Sequence, residues 1–60
     1  MKRLRTDKFN GDIEELFKIQ DRLDKHLTYW EDRHNEYFHK SYLVSEESGF
    51  SLIIEVYEKQ

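Results

Sequence analysis

Sixty residues carry ten Lys plus Arg against thirteen Asp plus Glu, a formal charge of −3, with 37% hydrophobic and 38% charged side chains and neither Cys nor Pro. That length leaves room for one small domain, residues 1–60, and no unbroken apolar run exceeds a triplet such as Leu52-Ile53-Ile54, against the roughly 20 residues of a membrane-spanning helix. The missing thiols exclude a disulfide staple, a thiolate nucleophile and Cys-ligated metal centres.

The chain begins with Lys2, Arg3, Arg5 and Lys8 around a single Asp7, so its first eight residues sum to +3. Charge rather than an apolar segment follows this basic start, so no export signal is expected and the cytoplasm is the default location. A strand through Leu4 would rest on one apolar residue. Residues 1–8 therefore read as a basic N-terminal arm, and Lys2, Arg3, Arg5 and Lys8 are its candidate phosphate contacts.

Phe9-Asn10-Gly11-Asp12-Ile13-Glu14-Glu15 has the features of a helix start: Asn10 as a cap, Asp12, Glu14 and Glu15 at the positive end of the dipole, and Phe9 as a hydrophobic staple. Ile13, Leu16, Gln20, Leu23, Leu27, Trp30, His34 and Tyr37 then recur at alternating steps of three and four, a heptad seam. Glu14–Lys18, Asp21–Lys25 and Glu36–Lys40 add acid-before-base pairs four residues apart. These signals predict one helix over residues 11–39, with Asn35 its weakest point.

Beyond Lys40 the period changes to two. Phe50, Leu52, Ile54 and Val56 alternate with Ser51, Ile53, Glu55 and Tyr57, a strand pattern. Ser41-Tyr42-Leu43-Val44-Ser45 precedes the turn segment Glu46-Glu47-Ser48-Gly49, so residues 41–57 are expected to form a two-stranded antiparallel hairpin with Gly49 taking any positive φ. The expected fold class is thus α+β, a long amphipathic helix followed by a hairpin.

A helix of about 29 residues would be roughly 43 Å long, against about 27 Å for an eight-residue strand. The hairpin would leave the stretch around Ile13, Leu16, Phe17 and Leu23 uncovered, and the strand Phe50 to Tyr57 would expose a pairing edge. Both point to a homodimer, with Gln20 and His34 as polar register residues on the seam. A helix bent near Thr28 or Asn35 in a compact monomer is the competing arrangement.

Chemistry-bearing residues are sparse. His26, His34 and His39 lack the four-residue spacing of a helical zinc site, and the single Glu31-x-x-His34 falls short of the repeated motif that a carboxylate-bridged centre needs. Ser41, Ser45, Ser48 and Ser51 have no nucleophile elbow. No metal, no cofactor and no catalysis are expected. Residues 9–40 and 41–60 each sum to −3, so the body would repel nucleic acid. Its carboxylates resemble either a phosphate mimic or, more simply, a solvated face. Trp30 and Tyr37 fall on the seam, whereas Phe17, Ile19, Tyr29 and Phe38 lie off it, where aromatic side chains serve as contact anchors.

The expected function is a non-enzymatic protein–protein interaction module, an adaptor, regulator or inhibitor that covers a surface of a macromolecular partner. Ile13, Leu16, Phe17, Leu23, Leu27, Tyr29, Trp30 and Phe38 form the candidate dimer or partner interface. The alternative is a nucleic-acid-associated regulator that uses the basic arms of a dimer.

Overall fold

A computed structural model describes residues 1–59. The chain runs β1 (Lys2–Gly11), α1 (Ile13–Arg33), β2 (Tyr37–Glu46) and β3 (Gly49–Glu58). The class is α+β, as the patterning implies, but the sheet has three antiparallel strands in the order β1-β3-β2. The expected arm is the third strand. Its register runs from Lys2 opposite Glu58 to Gly11 opposite Phe50, with a bulge between Arg3 and Arg5 that takes up Leu4.

The last strand is therefore the centre of the sheet and exposes no edge, contrary to the expectation for Phe50 to Tyr57. β2 pairs with its other side from Tyr37 opposite Glu58 to Glu46 opposite Gly49, without a shift. The hairpin is longer than the predicted 41–57, and Gly49 closes it at φ 138°, a value that side chains bearing a Cβ rarely adopt.

α1 is shorter than the seam suggested, 21 residues instead of 29, ending at Arg33. His34 caps it, donating its backbone N–H to Trp30 O at 2.8 Å, and the Asn35-Glu36 turn leads into β2. Tyr37 matched the heptad but belongs to the sheet. At the other end the cap position is Asp12, whose side chain makes no capping bond. Asn10 lies in β1 and accepts a hydrogen bond from Ser51 at 2.7 Å, and Phe9, also in β1, packs on the core rather than stapling the helix.

These boundaries remove the length mismatch. A 21-residue helix is about 32 Å long and a ten-residue strand about 33 Å, so one layer spans the other. Alternation along the strands then sends Phe9, Leu43, Leu52 and Ile54 toward α1. Leu16, Leu52 and Ile54 are buried, with Phe9, Ile19, Leu23, Leu27 and Leu43 packed around them. The uncovered stripe expected at Leu16 and Leu23 is thus covered by the chain's own sheet.

Candidate interaction surface

With the one described helix on one face, no layer lies over the opposite face of the sheet among the described residues. Register places Phe38, Lys40, Tyr42, Val44 and Glu46 of β2 on that face, beside Ser51, Ile53, Glu55 and Tyr57 of β3 and Arg3, Thr6, Lys8 and Asn10 of β1. The two ends of this face differ. Near the β2–β3 turn it is polar: buried Ser51 contacts Asn10 at 2.7 Å and also the Glu46 carboxylate, which Lys8 approaches to 3.2 Å. The Ser51 hydroxyl, helped by the Lys8 ammonium, holds the Glu46 carboxyl below its usual range.

Toward the other end the face is apolar. Phe38 stacks on Tyr57 with centroids 5.1 Å apart and planes at 12°, and Tyr42 and Ile53 are directly paired. Arg3 reaches Glu55 at 3.6 Å, and the Lys40 ammonium lies 5.3 Å from the centre of the Tyr57 ring. Burial pushes the Tyr57 phenol above its usual range, an effect the nearby Glu55 carboxylate reinforces. The result is an aromatic centre rimmed by charges of both signs, the composition of a protein contact surface.

The side facing the helix is asymmetric. α1 lies over β2 and β3 more than over β1. On its β2 flank, Gln20, Asp24 and Glu31 close the gap with hydrogen bonds. Gln20 Nε2 donates to Ser41 Oγ at 3.1 Å, and Ser41 Oγ donates to Asp24 at 2.8 Å. His39, only 12% exposed at its side chain, has Nε2 2.9 Å from Asp24 and Nδ1 2.5 Å from Glu31. Burial alone would lower its pKa, but the hydrogen bonds and charges of Glu31 and Asp24 outweigh this and raise it. Both ring nitrogens face carboxylate oxygens, which satisfies them fully only when both carry a proton.

This cluster of Gln20, Asp24, Glu31, His39 and Ser41 was not foreseen, because residues on three turns of a helix and one strand meet only once the sheet register is known. Its chemistry is that of a latch. The carboxylates lie off opposite ring nitrogens and do not converge on a common point, and the Ser41 proton goes to Asp24 instead of the imidazole. Among the described residues no group of three His, Cys, Asp or Glu side chains is arranged to hold a metal ion. Glu31 and His34, the one spaced ligand pair, diverge: Glu31 turns to His39, while His34 stacks on Trp30 at 5.0 Å.

On the β1 flank the gap stays open. Phe9, Leu23, Leu27, Trp30, Ile54 and Val56 line a groove of about 330 Å³ with His26, Arg5 and Asp7 at its rim.

The interface candidates therefore separate. Leu16 is fully buried within the chain's own fold and cannot meet a partner, and Leu23 and Leu27 pack on the same core. Ile13 is half-buried at the first turn of α1. Phe17, Tyr29 and Trp30 are 53%, 54% and 49% exposed, with Arg33 held 4.6 Å over the Tyr29 ring. Phe38 lies on the open sheet face. Missing from the prediction are Tyr42, Ile53 and Tyr57, whose strand alternation was legible although the face left uncovered was not.

The phosphate candidates are mostly engaged. Arg3 pairs with Glu55, Arg5 with Asp7 at 2.7 Å and Lys8 with Glu46, and Lys2 is exposed at the start of β1. They sit along a strand whose counter-charges come from Asp7 on the same strand and from Glu55 and Glu46 on the other two, not on a free arm.

No family model matches the chain, and neither the curated proteins nor the solved structures yield a match to it. Among the described residues no helix is long and apolar enough to cross a membrane.

Proposed function

We propose that the protein is a non-enzymatic interaction module that binds another protein through the uncovered face of its sheet. One observation carries this reading: Phe38, Tyr42, Val44, Ile53 and Tyr57 gather on a sheet face that no other described element of the chain covers. Small soluble domains rarely leave a contiguous apolar patch in water without a use for it. The occupant that fits is a folded surface with an apolar centre and a rim of mixed charge, matching the Arg3–Glu55 pair and Lys40. A rigid three-stranded platform presents its side chains pre-organised, which lowers the ordering cost of binding.

The nucleic-acid alternative has less support, since three of the four proposed phosphate contacts already face carboxylates.

The test replaces Ile53→Thr and Tyr57→Thr together, keeping β-branched residues that suit the central strand. Proteins captured from the source cell by the wild-type chain are identified, and the most enriched is purified and titrated against both forms, with circular dichroism to establish that the variant folds. Loss of both aromatic and aliphatic anchors is expected to weaken binding by about thirtyfold or more. Equal affinity for both forms, or capture that nuclease treatment abolishes, would overturn the reading.

A further inference from the structure

The two edges of the sheet are finished differently. β1 presents Lys2, Arg3, Arg5 and Lys8 and is bent by the bulge at Leu4, the devices that keep a strand edge from pairing. β2 has far less of this: its ten residues run in unbroken register with β3 without a bulge, contain neither Gly nor Pro, and carry only one lysine and one glutamate. An open edge of this kind is a template for another strand.

We infer that the strand it accepts is β2 of a second copy of this chain, paired antiparallel about a two-fold axis at Leu43. In that register, residues equally far before and after Leu43 meet, so Lys40 falls opposite Glu46 twice, Tyr42 opposite Val44 twice, and Leu43 opposite itself. No other two-fold register brings the strand's one lysine against its one glutamate. Lys40, Tyr42, Val44 and Glu46 share the open face, so these become an ion pair and an aromatic–β-branched pair, both favourable across strands. Each Glu46 then lies between Lys8 of its own subunit and Lys40 of the other.

A separate observation agrees. Phe17, Gln20 and Asp24 lie at i, i+3 and i+7 on α1, one side of the helix. Gln20 and Asp24 bond Ser41, so that side faces the β2 edge. Asp24 and Glu31 reach His39 while Gln20 and Asp24 reach Ser41, so going back along the helix runs forward along β2, and Phe17, three residues before Gln20, falls close to the level of Leu43, two residues after Ser41. The 53% exposure of Phe17 is relieved where two helices approach across the two-fold. The assembly is one six-stranded sheet with both helices on one side and both aromatic platforms on the other. It does not depend on the identity of any other partner, and Ile53 and Tyr57 on the central strand stay outside it.

Charge swapping across the axis tests both the occupant and the register. Lys40→Glu places carboxylates opposite Glu46, and Glu46→Lys places ammoniums opposite Lys40, so each variant alone should self-associate about tenfold more weakly or worse than wild type. An equimolar mixture restores two opposite-charge pairs and should recover dimer by sedimentation velocity and by energy transfer between labelled chains. Circular dichroism of each variant separates dissociation from unfolding, and Phe17→Ser supplies a second, fold-neutral route to weaker association. A wild-type chain that stays monomeric at several hundred micromolar, or a mixture no more associated than its separate components, would overturn the proposal.

Discussion

β1 and β2 are strands of equal length that pair with the same central strand, yet they are held in the fold by different forces. β2 is joined to the helix by polar groups: Gln20, Asp24 and Glu31 reach down to Ser41 and His39. β1 has no such latch. It relies on its backbone ladder to β3, on Phe9 at the core and on ion pairs near its edge, and the groove beside Trp30 marks where the helix leans away from it. The strand tied to the helix has the unguarded outer edge, and the strand left loose carries the charges and the bulge. The polar latch and the unguarded edge therefore occur together on one side of this molecule, as the proposed pairing of two copies requires.

The strongest way to break the comparison is to remove what both edges share. Leu52 lies opposite Phe9 on one side and Leu43 on the other and is fully buried with Leu16. Leu52→Ala is expected to cost about 2–5 kcal/mol. A domain of this size has a total stability of roughly 3–9 kcal/mol. The variant should therefore be substantially unfolded near body temperature, releasing β1 and β2 together, as thermal denaturation followed by circular dichroism will show.

A smaller effect separates the two sides. His39→Gln removes the bridge between Asp24 and Glu31 while leaving β1 untouched, with an expected loss of about 1–2 kcal/mol, or about 5–15 °C in Tm for a domain of this length. Asp24 is more than a third exposed, so its share is screened and Glu31 supplies most of the effect. The pH dependence fixes the sign. Because the folded-state pKa of His39 is raised, its stabilisation is fully present below the unfolded value of about 6.5 and fades as pH rises through the folded value. Wild type should lose stability between slightly acidic and alkaline buffer, and His39→Gln should flatten that part of the profile. Hydrogen exchange sharpens the comparison, since β2 amides should lose protection in the variant before those of the core-facing half of β1.

How far the sequence anticipates this architecture follows from the same contrast. β3 and the hairpin turn were legible because Phe50, Leu52, Ile54 and Val56 advertise burial and Gly49 marks the turn. The helix start was legible to within two residues. Its end was not, because His34 and Tyr37 continue the heptad spacing by coincidence: one stacks on Trp30 and the other opens a strand. β1 was hidden for a more basic reason. Of its ten residues only Phe9 contributes apolar burial to the core, and a strand held by backbone bonds and exposed ion pairs leaves no hydrophobic pattern to read. The latch could not be seen for want of register, and the seam sorted the helix only in part: Phe17 and Tyr29, placed off it, are exposed, but Trp30, placed on it, is exposed as well, and Ile19, placed off it, packs on the core.

The smallest expected effect tests whether the charges on β1 guard an edge or hold the strand in place. Arg3→Ala with Arg5→Ala removes two pairs whose arginines are 61% and 71% exposed. Exposed pairs contribute about 0–1 kcal/mol each, most of them near the low end, so the two together are expected to stay below about 1 kcal/mol and Tm to fall by less than about 8 °C. Self-association should change in the opposite sense, because deleting cations from the outer strand leaves an edge closer in character to β2, and the double variant should form species larger than a dimer at high protein concentration. The same variant addresses nucleic acid: a contact made through these arginines would lose affinity and salt dependence on a generic duplex. The pairing of both side chains with carboxylates leads us to expect no salt-sensitive duplex binding by the wild type for the variant to lose, a result that fluorescence anisotropy at low and high salt will decide. If the double variant instead unfolds β1, Arg3 and Arg5 are structural and the guard on that edge falls to Lys2, Lys8 and the Leu4 bulge.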